Sequence, residues 1–202
     1  MNERRACEVK RKLHLLVESF QNVLYEEDTV FMENMKTNSL AADDIRKYQF
    51  WEWTQGVGLF GFWKYYDLYG DAKYLDILEE YYSRQFEIGL PAKNVNTVTP
   101  LLALSYYAQI VEKKEYMEVC KEWAEWIFKE FPRTEEGGFQ HITSDSLNEE
   151  EMWDDTLFMT VLFLANMGCI LERQDYKEEA IYQFLLLSLI HISEPTRQEA
   201  IS

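Results

Sequence analysis

Two short stretches carry side chains able to do chemistry. One is Glu151-Met152-Trp153-Asp154-Asp155-Thr156-Leu157-Phe158-Met159, where adjacent carboxylates and an indole stand before an almost wholly apolar run. An aspartate in that place commonly caps the free N–H groups of a helix. One carboxylate meets the need, so Asp155 is left for proton transfer and Asp154 is expected to be the cap. A helix N-terminus favours the ionised form, whereas burial beside Trp153 opposes it. A general acid at neutral pH needs burial to prevail, so Asp155 is expected to turn inward and lose water. The other stretch is Trp51-Glu52-Trp53-Thr54-Gln55-Gly56-Val57-Gly58, again at the mouth of a helical pattern.

Helices must position these groups, because no segment alternates as a strand would. After an amphipathic run from Val9 to Tyr25, the helices come in pairs: 57–69 with 72–86, 101–111 with 115–131, and 156–171 with 176–186. The first member of the third pair is apolar nearly all round and that of the second mostly apolar, and the partner of each carries one apolar stripe. Asp71-Ala72-Lys73-Tyr74, Lys114-Glu115-Tyr116 and Gln174-Asp175-Tyr176 mark a loose repeat at the turns. A buried helix followed by an amphipathic one, repeated, predicts an all-α fold of the α/α toroid type. Long irregular connections at 87–100 and 132–154 fit that arrangement better than a tight solenoid, and loops of such length are often functional.

In a toroid of this kind every inner-helix N-terminus lies on the same rim. Trp51, Trp53, Thr54 and Gln55, then Asn94, Asn96 and Thr97, then Trp153 to Asp155 are expected there, with His141 folded over from its loop. Indoles, amides, an imidazole and a carboxylate pair suit a sugar, whose C–H faces stack on aromatics and whose hydroxyls need polar partners. Taken singly, each has a plainer role: a capping aspartate, a core tryptophan, a loop histidine. Their convergence on one rim carries the expectation.

Composition narrows the class. The chain has 202 residues, 47% of them hydrophobic and 15% aromatic, and a net charge of −16. That charge opposes a nucleic-acid or anionic-membrane partner. Cys7, Cys120 and Cys169 are scattered, as reduced thiols in a cytoplasm would be. No segment reads as a signal peptide or a membrane span. His14, His141 and His191 are too dispersed for a metal site, so neither metal nor cofactor is expected. Gly56, Gly58 and Gly61 follow no strand and read as close helix packing rather than a phosphate loop.

The motifs Trp51-Glu52-Trp53-Thr54-Gln55-Gly56-Val57, Tyr69-Gly70-Asp71-Ala72-Lys73-Tyr74, Gly137-Gly138-Phe139-Gln140-His141 and Trp153-Asp154-Asp155-Thr156-Leu157-Phe158-Met159 jointly resemble the unsaturated rhamnogalacturonyl hydrolases, glycoside hydrolase family 105, which are related to the unsaturated glucuronyl hydrolases of family 88. The resemblance covers about Lys47 to Leu186. It implies an (α/α)6 barrel of which this chain holds about the first half, and hydration of the vinyl ether in a Δ4,5-unsaturated uronic acid at the non-reducing end of pectin-lyase products. Carried over by motif, Asp155 is the general acid/base, and Trp51, Thr54, His141 and Trp153 line the substrate. Asn96 stands where the family often places a second aspartate. Residues 1–187 are expected to form one part of a single glycosidase barrel, with little activity alone. Residues 188–202 resemble translated sequencing adapter and are expected to be foreign to it. Two rivals stand beside this reading. One is another sugar-active α/α barrel, an epimerase or an inverting glycosidase with Glu52 as second carboxylate; the other is a helical-repeat binding module.

Overall fold

The helical periodicity is realised in a computed structural model that describes residues 3–38 and 44–193. In chain order the helices are α1 (Glu3–Val23), α2 (Thr29–Thr37), α3 (Ile45–Tyr48), α4 (Trp53–Tyr69), α5 (Lys73–Ile88), α6 (Val95–Tyr107), α7 (Lys114–Glu130), α8 (Leu162–Ile170) and α9 (Gln174–Ser193). A π-helical turn, Leu157–Val161, leads directly into α8. The fold is all-α, and among the described residues the one isolated β-bridge pairs Arg133 with Phe139.

Burial separates the helices as their sequences require. Every residue of α6 but Tyr106 is buried, so this helix lies inside. The outer helices bury one stripe each. In α5 it is Tyr74, Ile77, Leu78, Tyr81, Tyr82 and Gln85, and in α7 it is Tyr116, Cys120, Trp123, Ala124 and Ile127. These are the i, i+3, i+4 and i+7 positions of an amphipathic helix. Inner α6 packs between α4 and α8, and each inner helix is backed by an outer one: α4 by α5, α6 by α7, α8 by α9. This is an arc of an α/α toroid.

Several helices differ from the sequence reading, α4 among them, which starts at Trp53 rather than Val57. Helix α6 starts at Val95, well before Leu101, because Asn94 closes a capping box with Thr97: Asn94 Oδ1 accepts from the Asn96 and Thr97 amides at 2.9 and 3.1 Å, and Thr97 Oγ1 accepts from the Asn94 amide at 2.9 Å. The cap outweighs Pro100, which sits inside the helix and forgoes one backbone bond. The short helices α2 and α3 lie where no helix was expected, each capped by an aspartate, Asp28 and Asp44.

Close packing at the glycines holds in part. A Cβ on Gly56 would stand 2.6 Å from the Pro100 nitrogen and the Thr99 carbonyl carbon, so α4 and α6 approach there nearly backbone to backbone. Gly61 is a correction: nothing lies within 4 Å of a Cβ built there. Helix α9 runs unbroken past residue 187, and residues 194–202 of the expected tail lie outside the described residues. Among the described residues no helix is long and apolar enough to cross a membrane.

Candidate functional site

The N-terminal ends of α4 and α6 meet the 132–154 connection in a closed polar knot. Glu52, the N-cap of α4, is only 6% exposed. Ser144 Oγ donates to Glu52 Oε1 at 2.5 Å, and Asn94 Nδ2 donates to Ser144 Oγ at 3.0 Å. The Asn96 side chain and the Trp53 amide also donate to the Glu52 carboxyl. Burial pushes this carboxyl up to about 7, against the pull of its donors and with help from the nearby negative charge of Asp145. Asn96 itself is buried in the first turn of α6 rather than in a loop.

Trp51 corrects the sequence reading. Its indole is fully buried, lies against the ring of Tyr81 with centroids 6.1 Å apart, and donates from Nε1 to the Thr97 carbonyl at 2.8 Å. An indole whose face and N–H are both engaged by the core offers no surface to a sugar. Its neighbour Trp53 is 45% exposed on the first turn of α4. Thr54 is exposed, donates to Gln55 Oε1 at 2.9 Å, and lines with Phe20, Glu26 and Asp28 a separate cleft of about 320 Å³.

At the entrance to the π-helical turn and α8, three of the expected residues do converge. The imidazole of His141 stacks on the Trp153 indole, with centroids 4.2 Å apart and planes 3° from parallel. His141 Nδ1 lies 2.8 Å from Thr156 Oγ1 and 3.4 Å from Asp155 Oδ1. Burial holds the histidine below its ordinary pKa, while the carboxylates of Asp155 and Glu151 act in the opposite sense. Glu151 also fixes the indole, accepting from Trp153 Nε1 at 2.8 Å. The expected desolvation of Asp155 is corrected: half of its side chain, 48%, is exposed, as is 44% of Trp153. Of the three, only the imidazole is inside.

The connection that carries His141 is held at both ends of this rim. The Val95 amide of α6 donates to the Ile142 carbonyl at 3.0 Å, and the His141 amide donates to the Glu151 carbonyl at 2.8 Å. Asn148, in a left-handed conformation at φ 41°, turns its side-chain amide onto the His141 carbonyl at 2.7 Å. Sequence reasoning missed Ser144, Glu151 and Thr156 as supports. It weighed Glu52 only as a second carboxylate at the rim, and burial removes Glu52 from the place where it could activate a water. The readable signal was a charged residue set between two indoles at a helix start. Among the described residues no group of three or more histidine, cysteine, aspartate or glutamate side chains stands together as a metal site would.

Comparison with known proteins agrees with the all-α fold. Residues 26–194 match the model of Glycosyl Hydrolase Family 88. The unsaturated rhamnogalacturonyl hydrolase YesR of Bacillus subtilis (strain 168) is 32% identical over 136 residues, which are 66% of this chain and 40% of that protein. Two solved structures, each described as a possible member of the GH105 family, superpose with a TM-score of 0.73. The protein from Klebsiella pneumoniae subsp. pneumoniae MGH 78578 is 37% identical, with 91% of this chain and 48% of that one covered. For the protein from Salmonella enterica subsp. enterica serovar Paratyphi A str. ATCC 9150 the values are 38%, 90% and 47%. The chain thus spans less than half the length of these relatives.

Proposed function

The chain belongs to glycosyl hydrolase family 88, and from that premise we propose that its rim removes a Δ4,5-unsaturated uronic acid from the non-reducing end of pectin or rhamnogalacturonan lyase products. The observation that carries this reading is the His141–Trp153 stack with the Asp155 carboxylate 3.4 Å from the imidazole. An exposed indole face suits the flat unsaturated ring. A buried imidazole kept neutral can hold a carboxylate by a hydrogen bond without drawing it into a fixed ion pair.

Asp155 acts as general acid and then base. Its carboxyl proton goes to C4 of the double bond while water adds at C5, and the carboxylate recovers a proton from that water. The resulting hemiketal opens, leaving at the anomeric carbon a hemiacetal that releases the neighbouring sugar. The acid is half-open to water in this chain, so the substrate and the further length found in relatives are needed to enclose it; the 202-residue chain alone turns over little. Trp53 takes the stacking role first expected of Trp51. Neither metal nor cofactor enters the scheme. The three cysteines are free, two of them exposed, which supports a reducing, cytoplasmic setting.

The test is an unsaturated galacturonyl-rhamnose disaccharide incubated with the protein extended through the length of its relatives. Loss of the double-bond ultraviolet absorbance, abolished in Asp155→Asn with helical circular dichroism retained, is the expected result. Full turnover by that variant would remove Asp155 from the mechanism.

A further inference from the structure

We infer that Glu52 is a positioning residue of this site: its buried carboxyl ties the Asn96 end of α6 to the Ser144 turn of the 132–154 connection and holds the Asn96 side chain by its amide nitrogen. That this serves a substrate rests on the function proposed above; the tie itself does not.

The direction of each hydrogen bond supports the assignment. Ser144 Oγ accepts from Asn94 Nδ2 and donates to Glu52 Oε1. Asn94 is fixed in that orientation, because its Oδ1 is held by the capping box of α6. Glu52 therefore meets donors only: the Ser144 hydroxyl, the Asn96 amide and the Trp53 backbone N–H. Three donors suit an anion, and charge-assisted bonds of this kind are the strong ones. Burial suits the neutral acid, and the carboxyl balances near pH 7. In the protonated form the carboxyl loses its charge and is a weaker acceptor, so the bonds from these donors weaken together. The Asn96 side-chain amide and the Ser144 turn therefore both report the change of charge.

Two other ionisable groups face this carboxyl. Asp145, on the same connection, raises its pKa, and the buried phenol of Tyr81 on α5 feels its charge in return. The remaining partners are neutral. At 6% exposure Glu52 does not reach a substrate, so its influence passes through Asn96 and through the strand of connection that carries His141.

The experiment is a pH series on the 202-residue chain labelled with nitrogen-15, following the Asn96 side-chain NH2 and the Ser144 backbone amide between pH 5 and 9. A shared midpoint near 7 is expected in the wild type. In Glu52→Gln that titration disappears while the rest of the amide spectrum persists. In Ser144→Ala, which removes one donor to the anion, the midpoint rises. Counting only shifts that depend on Glu52 separates them from the titration of His141. Asn96 signals that ignore pH, or that titrate unchanged in Glu52→Gln, overturn the inference. A second arm measures affinity for the unsaturated disaccharide in the extended protein, where Glu52→Gln is expected to raise KM roughly tenfold with a smaller change in kcat. If the wild type binds no unsaturated uronide while the midpoint and its loss are both seen, the glycosidase reading falls and the positioning role stands.

Discussion

Two regions of one rim solve opposite problems. The ends of α4 and α6 are closed: Trp51, Glu52, Asn94 and Ser144 are buried, and each donor there is aimed at a named acceptor. The entrance to α8 is open: Trp153 and Asp155 are about half-exposed, and only the imidazole between them is inside. The closed end gains rigidity from desolvated hydrogen bonds, which are costly to leave unmade. The open end keeps its reactive groups accessible and borrows its order from neighbours, through Thr156, Glu151 and the Val95–Ile142 bond. Holding and acting are thus divided between different residues of the same rim.

The sharpest way to break this comparison is to change one residue at each end. Asp155→Asn is expected to lower turnover by about 10²–10⁴-fold, the usual worth of a general acid, with an unchanged melting temperature; ultraviolet loss of the double bond and thermal melting read the two. Trp51→Ala should do the reverse. Removing a fully buried indole and its bond to Thr97 is expected to cost about 3–5 kcal/mol of stability, read by urea unfolding. If Trp51→Phe, which keeps most of the packing, loses ligand affinity without loss of stability, the indole has a role at the surface that its burial denies.

Stability against pH distinguishes the ends as well. Glutamate in the unfolded chain ionises near 4.5, whereas buried Glu52 does so near 7. Between those values the folded state holds a proton that the unfolded state has lost. The contribution is therefore complete below pH 4.5 and is lost as pH rises to 7, by an amount on the order of 3 kcal/mol. His141 runs the other way: its pKa is depressed, so its contribution is present above about pH 6.5 and lost as pH falls. Subtracting the urea-unfolding profile of Glu52→Gln from that of the wild type isolates the first effect. A flat difference between pH 4.5 and 7 would show that Glu52 ionises normally.

The legible parts of the fold were those written in periodicity. The stripes of α5 and α7 and the apolar run through α8 follow spacing rules that need no knowledge of neighbours. The start of α6 was hidden because Pro100 reads as a breaker, while the Asn94–Thr97 capping box reads as loop chemistry. At the site, His141, Trp153 and Asp155 were legible because two motifs supplied them and one stack joins them. Trp51 and Trp53 could not be ranked from sequence. Two residues apart at a helix start, they face opposite ways, and only the position of Tyr81 and Thr97 decides which is core. The burial of Glu52 was equally out of reach, since its partner Ser144 is 92 residues away.

The smallest expected effect tests how tightly the closed end is seated. Gly56 lies on α4 where α6 passes closest, and an added methyl would meet backbone atoms at 2.6 Å that no side-chain rotation can move. Gly56→Ala is therefore expected to destabilise by about 1–3 kcal/mol, as overpacking does. It should also disturb the Asn96 and Ser144 amide signals, because α6 must shift away from α4 and carry its N-terminus with it. Gly61, one and a half turns further along the same helix, has nothing within 4 Å of the added carbon. There the gain in helix propensity is unopposed, and Gly61→Ala is expected to stabilise by up to about 1 kcal/mol. Opposite signs from one chemical change on one helix would locate the tight contact at the rim. Equal effects would mean that α4 and α6 are not in near-backbone contact, and the knot around Glu52 would then lack the rigid seat on which its positioning role depends.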